Sequence, residues 1–197
     1  MRLLRRLNEI VSRLGRAKKP DNSFIFPYSA DKALKRQQIW ANLQKGLLFE
    51  DQEILVPWLT PFNQIDNFKE KRKDIGDRTQ WYLGKQKILD GYEGHFEVMK
   101  WMWLPWTNPI TKISENIGED DEGMNRFHYL KDYLTDLLGT PAKTDLEKFG
   151  AFDLGSIQWQ NRAVKITLVG IEHFNCRYSF SIGLVKDSNQ EYFDNQI

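Results

Sequence analysis

Leu3, Leu4, Leu7, Ile10, Val11 and Leu14 recur at the spacing of one face of an α-helix, and arginines occupy the other face. Gly15 offers a stop, and residues 18–22 read as a linker around Pro20. The pattern predicts a basic amphipathic arm over residues 1–19. A second helix is expected from Ser29, as N-cap, to about Lys45. It has Asp31 in its first turn and Ile39, Trp40, Leu43 and Leu47 on its inner side. Ile54, Leu55 and Val56 then form a short apolar strand ended by Pro57. Thr60 followed by Pro61 predicts a short helix through Phe68, and residues 69–77 read as a charged, exposed connection.

Over residues 80–103 the period changes to two. Three strands are expected, at residues 81–83, 87–89 and 95–103, separated by turns at Gly84 and at Gly91 to Gly94. Residues 114–122 read as an acidic loop. Phe127, Leu130, Leu134, Leu137 and Leu138 mark the clearest helix, with Gly139 at its C-cap and Pro141 just beyond. Residues 157–159, 164–174 and 178–185 read as a three-stranded antiparallel meander that turns at Asn175 and Cys176. Val164, Ile166 and Leu168 on one face, and Val169 and Ile171 on the other, suggest an interior strand.

Segregated runs of helices and strands predict an α+β fold. It comprises a largely antiparallel sheet of about six strands packed against two or three helices, with the amphipathic basic helix at the N-terminus. The expected divisions are the arm of residues 1–19, a single α+β domain over residues 23–185 and a polar tail of residues 186–197. Each half offers a helix followed by strands, without a convincing repeat. The chain of 197 residues is long enough to bury a sizeable core.

A net charge of +1 gives no global electrostatic case for nucleic acid, but it conceals an asymmetry. The arm holds seven basic side chains against Glu9 alone, which leaves the remainder mildly acidic. Arg2, Arg5, Arg6, Arg13 and Arg16 make the arm a candidate contact for the body, for an anionic membrane surface, or for nucleic acid or an acidic protein. One cysteine, Cys176, excludes an intrachain disulfide and a multi-cysteine zinc site, and favours a reducing, cytoplasmic setting. No apolar run approaches a membrane span, and arginines interrupt any secretory h-region.

Chemistry-bearing motifs are sparse. There is no G-x-S-x-G, P-loop or G-x-G-x-x-G, so neither a nucleophile elbow nor a common nucleotide cradle is expected, and no cofactor is implied. The histidines, His95, His128 and His173, lack metal-ligand spacing. His95 and Glu97 share one face of a strand, so a small enzyme site assembled from scattered groups such as His95, Glu97 and His173 remains one reading. Glu119, Asp120, Asp121 and Glu122 suit a helix start favoured by the dipole, or a site for a cation or a basic partner. Trp101, Trp103 and Trp106, with Met99 and Met102 nearby, either cap the core or form a partner-binding surface.

The helix of residues 127–138, Gly139, Thr140 and Pro141, Trp159 and the two strands after it resemble a layout found in small bacterial proteins. These include the immunity proteins of polymorphic-toxin systems. The resemblance spans about residues 124–185 and implies a non-enzymatic, stoichiometric binder that neutralises a toxin by direct contact. The residue readings accordingly favour a protein-binding module. The small enzyme and a membrane-surface or nucleic-acid adaptor acting through the basic arm are the alternatives.

Overall fold

The computed structural model describes residues 23–67, 70–173 and 175–185. The arm of residues 1–19 and the tail of residues 186–197 lie outside the described residues. Helix α1 (Lys32–Leu43) is capped by Asp31, whose carboxylate accepts the Leu34 N–H at 2.8 Å. Ser29 is not the N-cap. Its hydroxyl accepts the Asp31 N–H at 3.1 Å and sets the approach to the cap. Nor does Leu47 extend the helix, because strand β1 (Gly46–Phe49) starts there and pairs antiparallel with β2 (Ile54–Pro57). Every residue of β1 is buried, so its apolar run carries no alternation to separate it from helix. Thr60 closes a turn on the Pro57 carbonyl, and residues Phe62–Asn67 form a 3-10 helix.

Eight further strands make one antiparallel sheet: β3 (Lys71–Ile75), β4 (Arg78–Ile88), β5 (Tyr92–Trp101), β6 (Lys112–Glu119), β7 (Lys143–Phe149), β8 (Phe152–Asn161), β9 (Val164–His173) and β10 (Asn175–Leu184). Their order is β3-β4-β5-β6-β10-β9-β8-β7. Two four-stranded meanders therefore meet last strand to last strand, and each is preceded by a helix. The α+β class and the antiparallel sheet agree with the sequence, but ten strands stand among the described residues where about six were expected. The charged connection of residues 69–77 contains edge strand β3, and the acidic loop of residues 114–122 is β6 running directly into helix α2 (Asp120–Leu138). Residues 81–89 are not two strands. Gly84, with φ +76°, sits at a bulge where the register between Tyr82 and Gly84 slips, and β4 continues through it. Asn175 and Cys176 belong to β10 and do not form the turn.

Both described helices lie on one face. Helix α2 packs on β6, β8, β9 and β10, while α1 and the β1–β2 hairpin cover the other meander through β4. The close approach of α2 to β6 needs Gly123, where a Cβ would stand 2.5 Å from the Gly118 carbonyl carbon. Arg36 of α1 donates to the Leu137 carbonyl at 3.1 Å, satisfying one of the open carbonyls at the end of α2. Val164, Ile166 and Leu168 are fully buried, but Val169 is half-buried and Ile171 is 52% exposed. Strand β9 is interior in the sheet order, yet only one of its faces is covered. No helix among the described residues is long and apolar enough to cross a membrane.

Candidate functional site

Strands β5 and β6 are neighbours with sparse backbone pairing, Glu97 and Ser114 being their one register pair. Ile113, Glu115 and Ile117 alternate onto the inner face of β6, which buries a carboxylate between two isoleucines. Glu115 is 1% exposed and replaces the missing strand pairing on one side of that contact. It accepts the Tyr92 hydroxyl at 2.7 Å, the His95 N–H at 3.1 Å and the Arg126 guanidinium at 3.0 Å.

On the other side the strands part. Residues 59–63 compete for the backbone of the β5–β6 connection. Leu59 N–H donates to the Ile110 carbonyl, Phe62 N–H to Asn108 and Asn63 N–H to Trp106, while Ile110 N–H donates to Thr60. A cleft of about 90 Å³ opens here, lined by Phe62, Met99, Trp101, Leu104, Thr111, Lys112 and Ser114.

The tryptophans border this cleft in two sets. Trp101 and Trp103 stack, with centroids 4.9 Å apart and planes at 13°. Trp103 is 46% exposed and Met102 61%, so this set faces solvent. Trp106 instead packs edge-on to buried Trp81 at 5.8 Å, and Trp81 stacks on Phe62. The Arg72 guanidinium lies 4.7 Å and the Lys100 ammonium 4.6 Å from the Trp106 ring centre. Lys100 is buried at 2% exposure and donates to the Trp101 carbonyl at 3.0 Å. Burial pushes its pKa down, and the nearby Arg72 charge adds to that. Trp106 thus leans one edge on the core while remaining 42% exposed, and Trp101 and Trp103 stack beside it.

The acidic run divides as well. Glu119 pairs with Arg177 at 3.0 Å, and Asp120 accepts the Cys176 N–H at 3.1 Å, which ties the start of α2 to β10. Asp121 and Glu122 are exposed in the first helical turn. The arm contacts Arg2, Arg5, Arg6, Arg13 and Arg16 lie outside the described residues.

The scattered histidines do not converge. His95 lines an open cavity of about 530 Å³ with Glu70, Lys71, Lys73, Tyr82, Gly84 and Phe96 on the outer face of the sheet. Glu97 is committed to Gln80, and burial pushes its carboxyl above the ordinary carboxylate range. His128 pairs with Asp153 at 3.1 Å beside Lys148. The backbone of His173 lies three strands and four residue rows from His95, roughly 20 Å at normal strand spacing.

Sequence reasoning missed Glu115, Tyr92, Arg126, Arg72 and Lys100. A glutamate on the apolar side of an alternating strand was the one signal available for the first of these. Comparison with family models, with curated proteins and with solved structures gives no match.

Proposed function

We propose that the chain is a non-enzymatic protein-binding module that grips a segment of its partner with the stacked Trp101–Trp103 pair and the cleft beside it. The observation that carries this reading is the solvent-facing stack itself. Two parallel indoles, with Met99 and Met102 alongside, expose apolar surface next to an opening the size of a single side chain. Tryptophan and methionine are enriched at interfaces because they offer large contact areas, and a nearby pocket for one anchoring side chain is how such surfaces concentrate their affinity. The layout of residues 124–185 adds the finer reading. An immunity or inhibitor protein acting in the cytoplasm, with a toxin as its partner, is the kind of stoichiometric binder that layout implies. Cys176, a buried free thiol, suits that setting.

Affinity capture from cells expressing the chain tests the reading, with the wild type compared against Trp101→Ala and Trp103→Ala. A partner should be retained by the wild type and lost from both variants, whose circular dichroism should be unchanged. A partner held equally well by all three chains would sink this assignment of the surface.

A further inference from the structure

The eight-stranded sheet ends in two edges, β3 and β7, and no described residue pairs with the outer side of either. Every pairing within the sheet is antiparallel and the number of strands is even, so the two edges run in opposite directions. A second copy in the same orientation therefore lays its β7 antiparallel beside β3, with the open faces of both sheets on one side. Neither edge strand contributes a buried side chain. All of β3 is exposed except half-buried Ile75, and all of β7 except half-buried Leu146.

Main-chain geometry limits the registers. A two-residue turn joins β3 to β4 at Gly76 and Asp77, and another joins β7 to β8 at Gly150 and Ala151. Such hairpins close on a hydrogen-bonded pair, here Ile75 with Arg78 and Phe149 with Phe152, and bonded pairs alternate from there. The odd-numbered residues of both edge strands thus bond inward. Donation of the Met102 N–H to the Asp77 carbonyl agrees, because it turns the odd-numbered residues of β4 toward β5 and the even-numbered ones toward β3. Arg72 and Asp74 of β3, and Thr144, Leu146 and Lys148 of β7, accordingly turn their main-chain groups to the open edge.

Side-chain charge selects among the registers that remain. Setting Arg72 opposite Leu146 and Asp74 opposite Thr144 matches the main chains. It also brings Lys71 opposite Glu147 and Lys73 opposite Asp145 on the open face, with Ile75 opposite Lys143. No like charges meet. Among the described residues Lys71, Lys73 and Glu147 have no ion pair, and Asp145 has only Lys143 at 3.7 Å. Each edge against itself is poorer, because full overlap sets Lys73 against Lys73 on β3 and Asp145 against Glu147 on β7.

We infer that β3 of one copy of this chain pairs antiparallel with β7 of another in this register, extending the sheet from molecule to molecule. The contact is heterologous, so each assembled pair keeps a free β3 and a free β7, and growth continues beyond two. It is five residues long, which makes association weak and dependent on concentration. The inference uses none of the residues assigned to the tryptophan surface and stands or falls without that reading.

Sedimentation velocity of the full-length chain at low salt, from micromolar to near-millimolar protein, tests it. The mean mass should rise above that of one chain with concentration and fall back as salt is added. Lys71→Glu/Lys73→Glu, and separately Asp145→Lys/Glu147→Lys, should each return the protein to single chains with unchanged circular dichroism. The chain carrying all four substitutions should associate again, because its edges have exchanged charge. Carbodiimide coupling of the wild type reads the register through an amide between Lys73 and Asp145. In one molecule seven strand spacings, roughly 34 Å, part these residues, so the link joins two copies. A wild type that stays single at every concentration overturns the inference. So does a two-site variant that associates like the wild type, a folded four-site chain that does not recover, or assembly without the Lys73–Asp145 link.

Discussion

The Tyr92 hydroxyl and the Glu115 carboxylate meet at 2.7 Å in the interior, where the sheet would otherwise carry a backbone ladder between β5 and β6. Burial pushes the Tyr92 phenol well above its ordinary pKa, with the Glu115 charge reinforcing the shift, so the hydroxyl stays a donor at any working pH. Replacing Glu115 with alanine strands Tyr92, the His95 N–H and Arg126 together. A loss of about 1–3 kcal/mol in urea unfolding is expected, toward the lower end because Arg126 reaches solvent. A cycle with Tyr92→Phe should show coupling of about 0.5–3 kcal/mol. Additive single effects would mean that the pair does not act as a unit.

Ile166 and Ile171 sit on the same strand and should behave as opposites. Ile166 points under α2 with no exposed surface, whereas Ile171 is half in solvent on the open face. Ile166→Ala should cost about 2–5 kcal/mol, and Ile171→Ser about 0.5 kcal/mol or less. Similar midpoints for the two variants in denaturant would contradict the one-sided burial of β9.

Glu97 gives a pH dependence with a definite sign. Its carboxyl pKa is raised mainly by burial, against smaller opposing effects from Gln80 and Arg78. A carboxyl that binds its proton more tightly when folded stabilises the fold below its unfolded pKa, and that stabilisation is lost as pH rises through the folded value. The wild type should therefore lose ground to Glu97→Gln on going from roughly pH 4 to pH 7. Melting temperatures of the two proteins across that interval decide the matter, and a gap that is flat or opens the other way rejects it.

What the sequence made legible were the elements with one wet and one dry face. Helix α2 and strands β8 to β10 carry their period in apolar residues because one side is buried and the other is not. Strands β3 and β7 escape this test. They are edges with almost every side chain exposed, and what defines them is their pairing with β4 and β8, which leaves no apolar trace. Strand β1 fails in the opposite way, being buried throughout. At the site, the tryptophan run was visible as a candidate, and so was its proximity to Met99. That Trp106 would turn away toward Trp81 was not visible, because the contact joins residues 25 positions apart through the fold.

The sparse pairing of β5 with β6 has a consequence for the newborn chain. Strand β6 is held chiefly by β10, whose seven register pairs with it contrast with the one from β5. On the ribosome β6 emerges more than fifty residues ahead of that support. Until β10 arrives, the first meander carries a bare hydrogen-bonding edge along β6. The interval of synthesis between those two strands is when the protein has most to gain from a chaperone, and a ribosome stalled there would release a chain prone to self-association.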